Sequence, residues 1–385
     1  MRILMIAPQP FFEPRGAPLC VYQHIKALVT LGYGVDLVAY PFGKDVDLPG
    51  LKIYRAPGLP FIRSVKPGFS LTKFPLDVLI LLTVLWRLCV GHYRYLHTHE
   101  EAAWIGVLFA PFFRYKHLYY MHCDLSQLVP ACMTRFTLML QKYVVRRANT
   151  IVAFYPEVTS IARKMAPEQY IHTLLPLSID DGLSCGCEED IIRLRRLWKL
   201  GTGPVLLYTG TLEYYQGLEL LLQSVCIVHA SFPEARYVIV GGNNVQVRQL
   251  KQIAQKLGIT HTVRFTGQRP LEEMPHYMAL ATIVLSPRSE GTHVPLKVYT
   301  YLHSGKAILA TNILSHTQIL TPEMALLVSP TAEGLARGAL TLLRDPERGR
   351  TLGRYSQDFA RKHYNWSVFL EKSRQIHEEF MSLVQ

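Results

Sequence analysis

The chain has 385 residues, of which 49% are hydrophobic and 18% charged, and its formal net charge is +12. This length predicts two domains, and the apolar composition excludes an intrinsically disordered protein. The positive charge favours an anionic partner, such as a nucleotide, a nucleic acid or an acidic membrane surface. The seven scattered cysteines, without a CxxC pair, predict reduced thiols in a cytoplasmic protein.

Residues 1–180 alternate short apolar runs with helical segments. Strands are predicted at 2–7, 35–40, 52–55, 95–97, 117–121 and from 150, and helices at 19–31 and 76–90. This alternation is typical of a parallel, doubly wound sheet. The segment 76–90 falls short of the roughly 20 apolar residues that span a membrane. We interpret it as a buried helix, with a helix lying on a membrane surface as the alternative.

A second series of the same kind follows a polar stretch at 180–189. Strands are predicted at 205–208, 237–240, 263–265, 281–286, 307–311 and 324–328, and helices at 218–230, 247–257, 333–343, 346–363 and 368–384. The chain is therefore predicted to be an α/β protein with two Rossmann-like domains facing a cleft. Their predicted bounds are 1–180 and 190–367.

The stretch from Ser289 to Lys306 is the most informative part of the sequence. Glu290 and Gly291 open a loop between two predicted strands, a helix follows, and Gly305 ends it. A strand, a loop and a helix N-terminus together present backbone N–H groups to an anionic ligand. This block resembles the donor-sugar loop of the family 4 (group 1) retaining glycosyltransferases, which have the GT-B fold. The resemblance covers nearly the whole chain and implies that the last helix, 368–385, crosses back to the N-terminal domain.

The resemblance also implies a donor site in the C-terminal domain. Glu290 would be a catalytic residue that hydrogen-bonds hydroxyls of the donor sugar. The family usually has a second glutamate in this block, and either Val298 or Thr300 stands in its place. The donor-binding residues implied are Gly16, Gly210, Thr211, Gln216, Gly242, Arg264, Arg288, Gly291, Thr292, His293, Val294, Lys297 and Thr300.

Two more departures concern the donor diphosphate. The family commonly supplies an arginine and a lysine where this chain has Thr211 and Gln216, neither of which carries charge. Other cations must then neutralise the diphosphate, and Arg15, Arg288 and Lys297 are the candidates.

Histidines follow two predicted strands of the N-terminal domain, where parallel sheets place ligand sites. His122 matches a family histidine near the acceptor, and it would orient the acceptor hydroxyl or transfer a proton. Arg15, His99 and Asp124 are the other acceptor-binding candidates, with Asp124 orienting either His122 or the acceptor. A structural role for the histidines remains the alternative. We expect no metal site, because His97, His99 and Glu100 have no assigned partner ligand.

We predict a retaining transfer of a hexosyl-type sugar from a nucleotide-diphosphate sugar to an acceptor hydroxyl, with no obligatory cofactor. The acceptor is expected to be lipid-linked or a surface polysaccharide precursor. Basic charge and aromatic residues favour a peripheral position on the inner membrane face. The aromatic residues are Trp86, Trp104, Phe109, Phe112, Phe113 and Tyr115, and the basic residues beside them are Arg114 and Lys116.

Two alternatives stay open at this point. A non-catalytic GT-B protein that binds a nucleotide sugar or a partner is suggested by Thr211, Gln216 and Thr300. A sugar-nucleotide epimerase of the same architecture would release nucleotide without an acceptor product. A nucleic-acid partner is not expected, because no basic run with interleaved aromatic residues is present.

Overall fold

The computed structural model describes residues 1–13, 16–63, 65, 70, 72–127, 129–177 and 186–383. The chain divides into an N-terminal unit, Met1–Pro176 with Ser367–Gln385, and a C-terminal unit, Leu177–Trp366. Most of the predicted linker at 180–189, including Cys185, lies outside the described residues, as does Arg15.

A seven-stranded parallel sheet forms the centre of the N-terminal unit, in the order β3-β2-β1-β4-β5-β6-β7. Leu4 of the first strand pairs with Asp36 on one side and with Leu96 on the other. Both faces of such a sheet are covered, which is why its strands are nearly continuous apolar runs. The strands are β1 (Arg2–Ala7), β2 (Gly34–Ala39), β3 (Leu51–Arg55), β4 (Tyr95–His99), β5 (Lys116–Met121), β6 (Thr150–Ala153) and β7 (Tyr170–Thr173).

Helices cover this sheet. They are α1 (Gly16–Thr30), α2 (Lys73–Val90), α3 (Ala103–Phe113), α4 (Ala131–Arg147) and α5 (Pro156–Met165). Two of them, α2 and α3, consist mostly of apolar residues. One face of α2 is buried through Leu76, Ile80, Val84 and Leu88, as predicted for a core helix. Residues 19–30 of α1 and most of α2 follow the predicted helices at 19–31 and 76–90, whereas α3, α4, α5 and β7 were not predicted.

The C-terminal unit contains a six-stranded parallel sheet in the order β10-β9-β8-β11-β12-β13. Its strands are β8 (Val205–Thr209), β9 (Arg236–Val240), β10 (Val263–Gly267), β11 (Ile283–Ser286), β12 (Ala307–Thr311) and β13 (Leu326–Val328). Its helices are α6 (Glu188–Leu197), α7 (Leu218–Ser231), α8 (Asn244–Lys256), α9 (Met274–Leu280), α10 (Lys297–Ser304), α11 (Leu314–Thr317), α12 (Ala332–Arg344) and α13 (Pro346–His363). The predicted class of two doubly wound parallel sheets is confirmed.

The last helix, α14 (Trp366–Ser382), packs onto the N-terminal unit. Phe380 meets the rings of Tyr95 and His97, and Phe369 stacks on His24 with ring centroids 5.7 Å apart. These aromatic contacts bury the apolar face of α14 against the sheet, and they account for the return of the chain to its first unit.

Each sheet reverses its strand order once, between β1 and β4 in one unit and between β8 and β11 in the other. In open α/β sheets ligands bind outside the carboxyl ends of the strands at such a reversal. The loops that follow β8 and β11, and the segment that follows β4, are therefore the positions to inspect.

Candidate functional sites

The loop after β8 is held in place by close backbone contacts. Gly217 has φ of +70°, and a Cβ there would lie 2.0 Å from the carbonyl oxygen of Pro287 in the loop after β11. The Ser289 N–H donates to the carbonyl oxygen of Tyr215 at 3.0 Å. Only glycine permits this approach, so Gly217 brings the two loops together.

Arg288 shapes the loop that follows β11. Its side chain is buried, and its guanidinium donates to the carbonyl oxygens of Glu290 at 2.6 Å and His293 at 3.2 Å. A Cβ on Gly291, whose φ is +105°, would lie 2.4 Å from this guanidinium. The loop therefore folds around Arg288, and the Glu290 side chain extends into solvent with the Tyr214 hydroxyl 3.5 Å away.

Lys297, the first residue of α10, brings predicted donor residues from both loops together. Its ammonium donates to Gln216 Oε1 at 3.1 Å and lies 3.8 Å from the centre of the Tyr208 ring. The Gln216 amide in turn lies 3.5 Å from Thr211 Oγ1, and a Cβ on Gly210 would lie 3.7 Å from Lys297 Nζ. Burial, and then the charge of Arg288, hold the pKa of Lys297 well below its ordinary value.

A lysine of this kind is poised to receive an anion. Its charge is destabilised by burial, and an incoming phosphate would restore it. Gln216, which stands where a lysine is expected, thus holds the Lys297 ammonium beside it.

The rest of the α10 block is buried. Val298 is fully enclosed and Thr300 is 7% exposed. Tyr301 accepts the Thr209 N–H at 2.9 Å, which ties the end of β8 to α10. At the start of the block, Val294 is buried, and Gln318 donates to the carbonyl oxygen of Thr292 at 2.6 Å.

The end of β9 joins this group of loops. A Cβ on Gly241, whose φ is +123°, would lie 1.9 Å from the carbonyl oxygen of Gly210. Gly242 precedes the capping box of Asn243 and Gln246 at the start of α8, and Gln246 donates to Glu213 at 3.0 Å. Gly242 also lies beside the β8 loop, because a Cβ on it would lie 2.2 Å from the Leu212 side chain.

The structure does not bring Arg264 to this group. Arg264 lies near the amino end of β10, and its guanidinium donates to the carbonyl oxygens of Trp198 at 2.8 Å, Thr260 at 3.1 Å and His261 at 3.0 Å. These bonds fasten the turn that precedes β10, so the prediction of Arg264 as a donor-binding residue is corrected. Arg264 is on a strand of the expected sheet, but it lies near the amino end of that strand and not at the carboxyl end, where ligands bind.

Gly16 is the exposed first residue of α1, and no atom lies within 4 Å of a Cβ built there. Among the described residues, no contact therefore requires a glycine at this position.

The second candidate site is in the N-terminal unit, where β4 and β5 end. Glu100 Oε1 accepts from His122 Nδ1 at 2.9 Å, and His122 Nε2 lies 3.0 Å from His99 Nδ1. His99 stacks on Tyr120 with centroids 4.5 Å apart, and His122 stacks on Phe154 at 3.7 Å. We call these three side chains, Glu100, His122 and His99, the carboxylate–histidine chain.

Asp124 does not orient His122. Its Oδ1 accepts from the N–H of Ser126 at 3.0 Å and from the Ser126 hydroxyl at 2.6 Å, which fixes the short turn after β5. Glu100 holds His122 instead. His99 is 0% exposed, so it lies beneath His122, and its prediction as a direct acceptor contact is corrected. Burial lowers the pKa of His99 well below its ordinary value.

Among the described residues, no group of three or more His, Cys, Asp or Glu side chains is arranged to hold a metal ion. His97 illustrates the reason, because its ring packs between Tyr120 and Phe380 with no carboxylate beside it.

The fold and these two strand-end sites define a class of protein, and comparison with known proteins gives the family. The family described as Glycosyl transferases group 1 matches residues 193–359. The predicted resemblance to these glycosyltransferases is confirmed over this part of the chain.

Two curated relatives have related names. The GDP-mannose-dependent alpha-(1-6)-phosphatidylinositol monomannoside mannosyltransferase of Mycolicibacterium smegmatis is 24% identical over 50% of this chain and 52% of its own length. The phosphatidyl-myo-inositol mannosyltransferase of Propionibacterium freudenreichii is 21% identical over 96% of this chain and 92% of its own length. The chain thus spans about half of the first relative and nearly all of the second.

Solved structures share the architecture. Sucrose-phosphate synthase from Thermosynechococcus elongatus superposes with a TM-score of 0.84 at 19% identity, covering 99% of both chains. Anabaena Alr3699/HepE in complex with UDP-glucose superposes with a TM-score of 0.77 at 17% identity, covering 99% of this chain and 100% of that one. At such identities these structures establish the fold alone.

Proposed function

We propose that the chain transfers a hexosyl-type sugar from a nucleoside diphosphate sugar to an acceptor hydroxyl, with retention of anomeric configuration. The observation that carries this proposal is the buried ammonium of Lys297, held by Gln216 at 3.1 Å beside Gly210 and Thr211. A buried cation among loops at a strand reversal suits a diphosphate.

Each part of the donor site has a proposed role. Lys297 and Arg288 neutralise charge on the leaving diphosphate, together with the N–H groups of Thr292, His293 and Val294. Glu290 accepts hydrogen bonds from hydroxyls of the sugar. Thr300 would bind the ribose through one hydroxyl, whereas a glutamate offers two carboxylate oxygens. Hydrogen bonding to the ribose is therefore weaker than with a glutamate. No metal or other cofactor is required in this scheme, because cations of the protein stabilise the leaving group.

We propose further that the acceptor is lipid-linked. The two named relatives act on phosphatidylinositol or its mannoside, which supports an acceptor carried by a lipid. The donor names point to GDP-mannose for the first relative, and UDP-glucose is bound in one structural neighbour. These two donors are therefore the first to test.

An apolar and basic surface of the N-terminal unit supports this acceptor. The face of α2 opposite its core residues carries exposed side chains at every fourth position: Phe74, Val78, Leu82, Trp86 and Val90. The neighbouring α3 exposes Leu108 and Phe112, and it packs against both α2 and α4. An apolar surface of this extent marks an interaction site.

On α4, the exposed apolar residues alternate with cations. Phe136, Met139 and Tyr143 are exposed, as are Arg135 and Lys142. Such a face suits the boundary between anionic headgroups and acyl chains. No described helix is long and apolar enough to span a membrane, so we propose a peripheral association.

The predicted set of membrane-facing aromatic residues needs correction. Trp86 and Phe112 are exposed, but Trp104, Phe109 and Phe113 pack against the core. Tyr115 is buried and donates to the carbonyl oxygen of Gly106 at 2.7 Å. Of the predicted aromatic residues, the proposed membrane surface therefore keeps Trp86 and Phe112, which the helical phase turns outward.

The donor half of the proposal is tested by thermal shift with UDP-, GDP- and ADP-linked sugars, with and without Mg²⁺. We expect one nucleotide sugar to raise the Tm selectively, and a smaller rise in Glu290→Ala. The stabilising donor then goes into a transfer assay with vesicles containing phosphatidylinositol. Absence of a shift with every donor would favour the non-catalytic alternative.

The membrane association is tested by vesicle flotation at low and high salt. We expect the wild-type chain to float with anionic vesicles at low salt. The double variant Leu82→Ser, Trp86→Ser should no longer float. Tyr355→Ser, which changes an exposed aromatic residue of the C-terminal unit, is the matched control. Equal flotation of all three proteins would contradict the assigned surface.

A further inference from the structure

Glu100 has an unusual backbone for its position. It is one of three non-glycine residues with positive φ among the described parts of the chain, with φ of +51°. The other two lie at helix C-termini, where a left-handed residue is ordinary: Arg114 is the C-cap of α3, and Lys199 follows the C-cap of α6. Glu100 instead follows a strand and opens a 3-10 helix, Glu100–Ala102. Strain of this kind at a strand end points to function.

The carboxylate of Glu100 is aimed with the help of His122. The bond from His122 Nδ1 to Glu100 Oε1 is 2.9 Å long, and the Cys123 thiol lies 3.9 Å from Oε2. An ionised carboxylate only accepts hydrogen bonds, so the proton of a neutral His122 is on Nδ1. His122 Nε2 is then an acceptor, and it takes the Nδ1–H of His99 at 3.0 Å.

Both ring nitrogens of His122 are thus engaged within the carboxylate–histidine chain. The side chain of His122 is 7% exposed, whereas that of Glu100 is 20% exposed. A ligand arriving at the end of β4 would meet the carboxylate before it met either imidazole. His99 is 0% exposed and stacks on Tyr120, so it anchors the buried end of the chain.

We infer that Glu100 is the residue of the N-terminal unit that binds the acceptor hydroxyl, and that His122 and His99 are positioning residues acting through it. This inference rests on the proposed sugar transfer and names the group that receives its second substrate. A carboxylate accepts the hydroxyl proton as a hydrogen bond, which turns an oxygen lone pair toward the sugar carbon. Holding the carboxylate in one orientation is what a strained backbone and two locked imidazoles provide.

The test uses Glu100→Gln, which keeps an oxygen for His122 but removes the charge, and Glu100→Asp as the conservative variant. Glu101→Gln is the matched control, because its carboxylate pairs with Lys73 at 3.2 Å and does not touch the histidines. Nucleoside diphosphate release from the stabilising donor is measured in buffer and with phosphatidylinositol vesicles. The donor-induced rise in Tm is measured on the same proteins.

We expect Glu100→Gln to retain the donor-induced rise in Tm and to lose about tenfold or more of the nucleotide release. His122→Gln should lose a similar factor, Glu100→Asp should lose less, and Glu101→Gln should resemble the wild type. Wild-type release in Glu100→Gln would overturn the inference, as would loss of the donor shift together with release.

A second measurement keeps the inference separate from the proposed function. Nitrogen NMR of labelled histidine reports the tautomer of His122 without any turnover. The inference requires the Nδ1–H tautomer in the wild type and its loss in Glu100→Ala, and an Nε2–H tautomer in the wild type would contradict it. If His122 has the Nδ1–H tautomer but no donor raises the Tm, the proposed transfer is refuted, whereas the orientation of Glu100 is established.

Discussion

The two units bury polar groups of different kinds. The N-terminal unit encloses His24, His97, His99, His117 and His377, and burial lowers the pKa of each. Among its described residues, the C-terminal unit encloses two cations, Arg288 and Lys297, and one buried histidine, His316, whose pKa burial lowers to about 4. Neutral imidazoles with defined tautomers suit the orientation of a hydroxyl, whereas buried cations suit a phosphate. The contrast supports the proposal that the donor binds the C-terminal unit and the acceptor the N-terminal unit.

The largest effect expected from this contrast is a loss of stability of the N-terminal unit at acidic pH. Each buried histidine is neutral in the folded state, so its stabilisation is complete above pH 6.5 and is lost as pH falls toward the folded pKa. For His377, whose pKa is lowered to about 4, the loss is about 3 kcal/mol. The N-terminal unit should therefore unfold first on going from pH 6.5 to 4, in urea titrations read by pulsed hydrogen exchange. Equal losses in both units would break the comparison.

A matched pair of glycines tests the loop contact of the donor site. Gly217 and Gly258 both have φ of +70°, but a Cβ at 217 would meet Pro287, whereas at 258 it meets nothing within 4 Å. Gly258→Ala should cost about 1 kcal/mol of unfolding free energy from backbone strain alone. Gly217→Ala should cost about 3 kcal/mol or more, because the two loops must separate. Urea unfolding measures both, and similar losses would mean that the loops are not held by this contact.

Lys297→Met separates stability from donor binding. Methionine fills the same space without a charge, so we expect a Tm at pH 7 no lower than the wild type and donor affinity reduced about tenfold to hundredfold. The folded pKa of Lys297 is depressed, so the wild type gains stability as pH rises toward 10.5 and the variant does not. The Tm difference should therefore narrow from pH 7 to pH 9. Undiminished donor affinity in the variant would remove Lys297 from the site.

The smallest effect concerns the backbone of Glu100. Replacing it with glycine relieves the positive φ, whereas alanine keeps the strain and removes the same carboxylate. The glycine variant should be more stable than the alanine variant by about 1 kcal/mol, measured by chemical denaturation. An alanine variant at least as stable would show that position 100 stores no strain.

Much of the fold could be predicted from the sequence, because strands of a covered parallel sheet are apolar throughout. The bounds of β1, β12 and the helix α13 agree with the predicted residues, and β6 starts at the predicted residue 150. The helix α4 was missed because its exposed face carries Phe136, Met139 and Tyr143, which hide the usual helical period.

The sites were less predictable, since they depend on contacts between distant residues. The grouping of Gly210, Thr211, Gln216 and Lys297 followed from strand order, which a βαβ pattern indicates. The partner of His122 could not be predicted in this way. Asp124 is near His122 in sequence, but Glu100 is the residue that reaches His122 across the sheet. Only the pairing of β4 with β5 brings Glu100 to the histidine.

Hydrogen exchange with the stabilising nucleotide sugar tests the assignment of substrates most directly. We predict that donor binding slows amide exchange at 209–217, 241–246 and 288–300 in the C-terminal unit and leaves 95–125 unchanged. Protection confined to 95–125, or spread over neither region, would contradict a donor site built around Lys297.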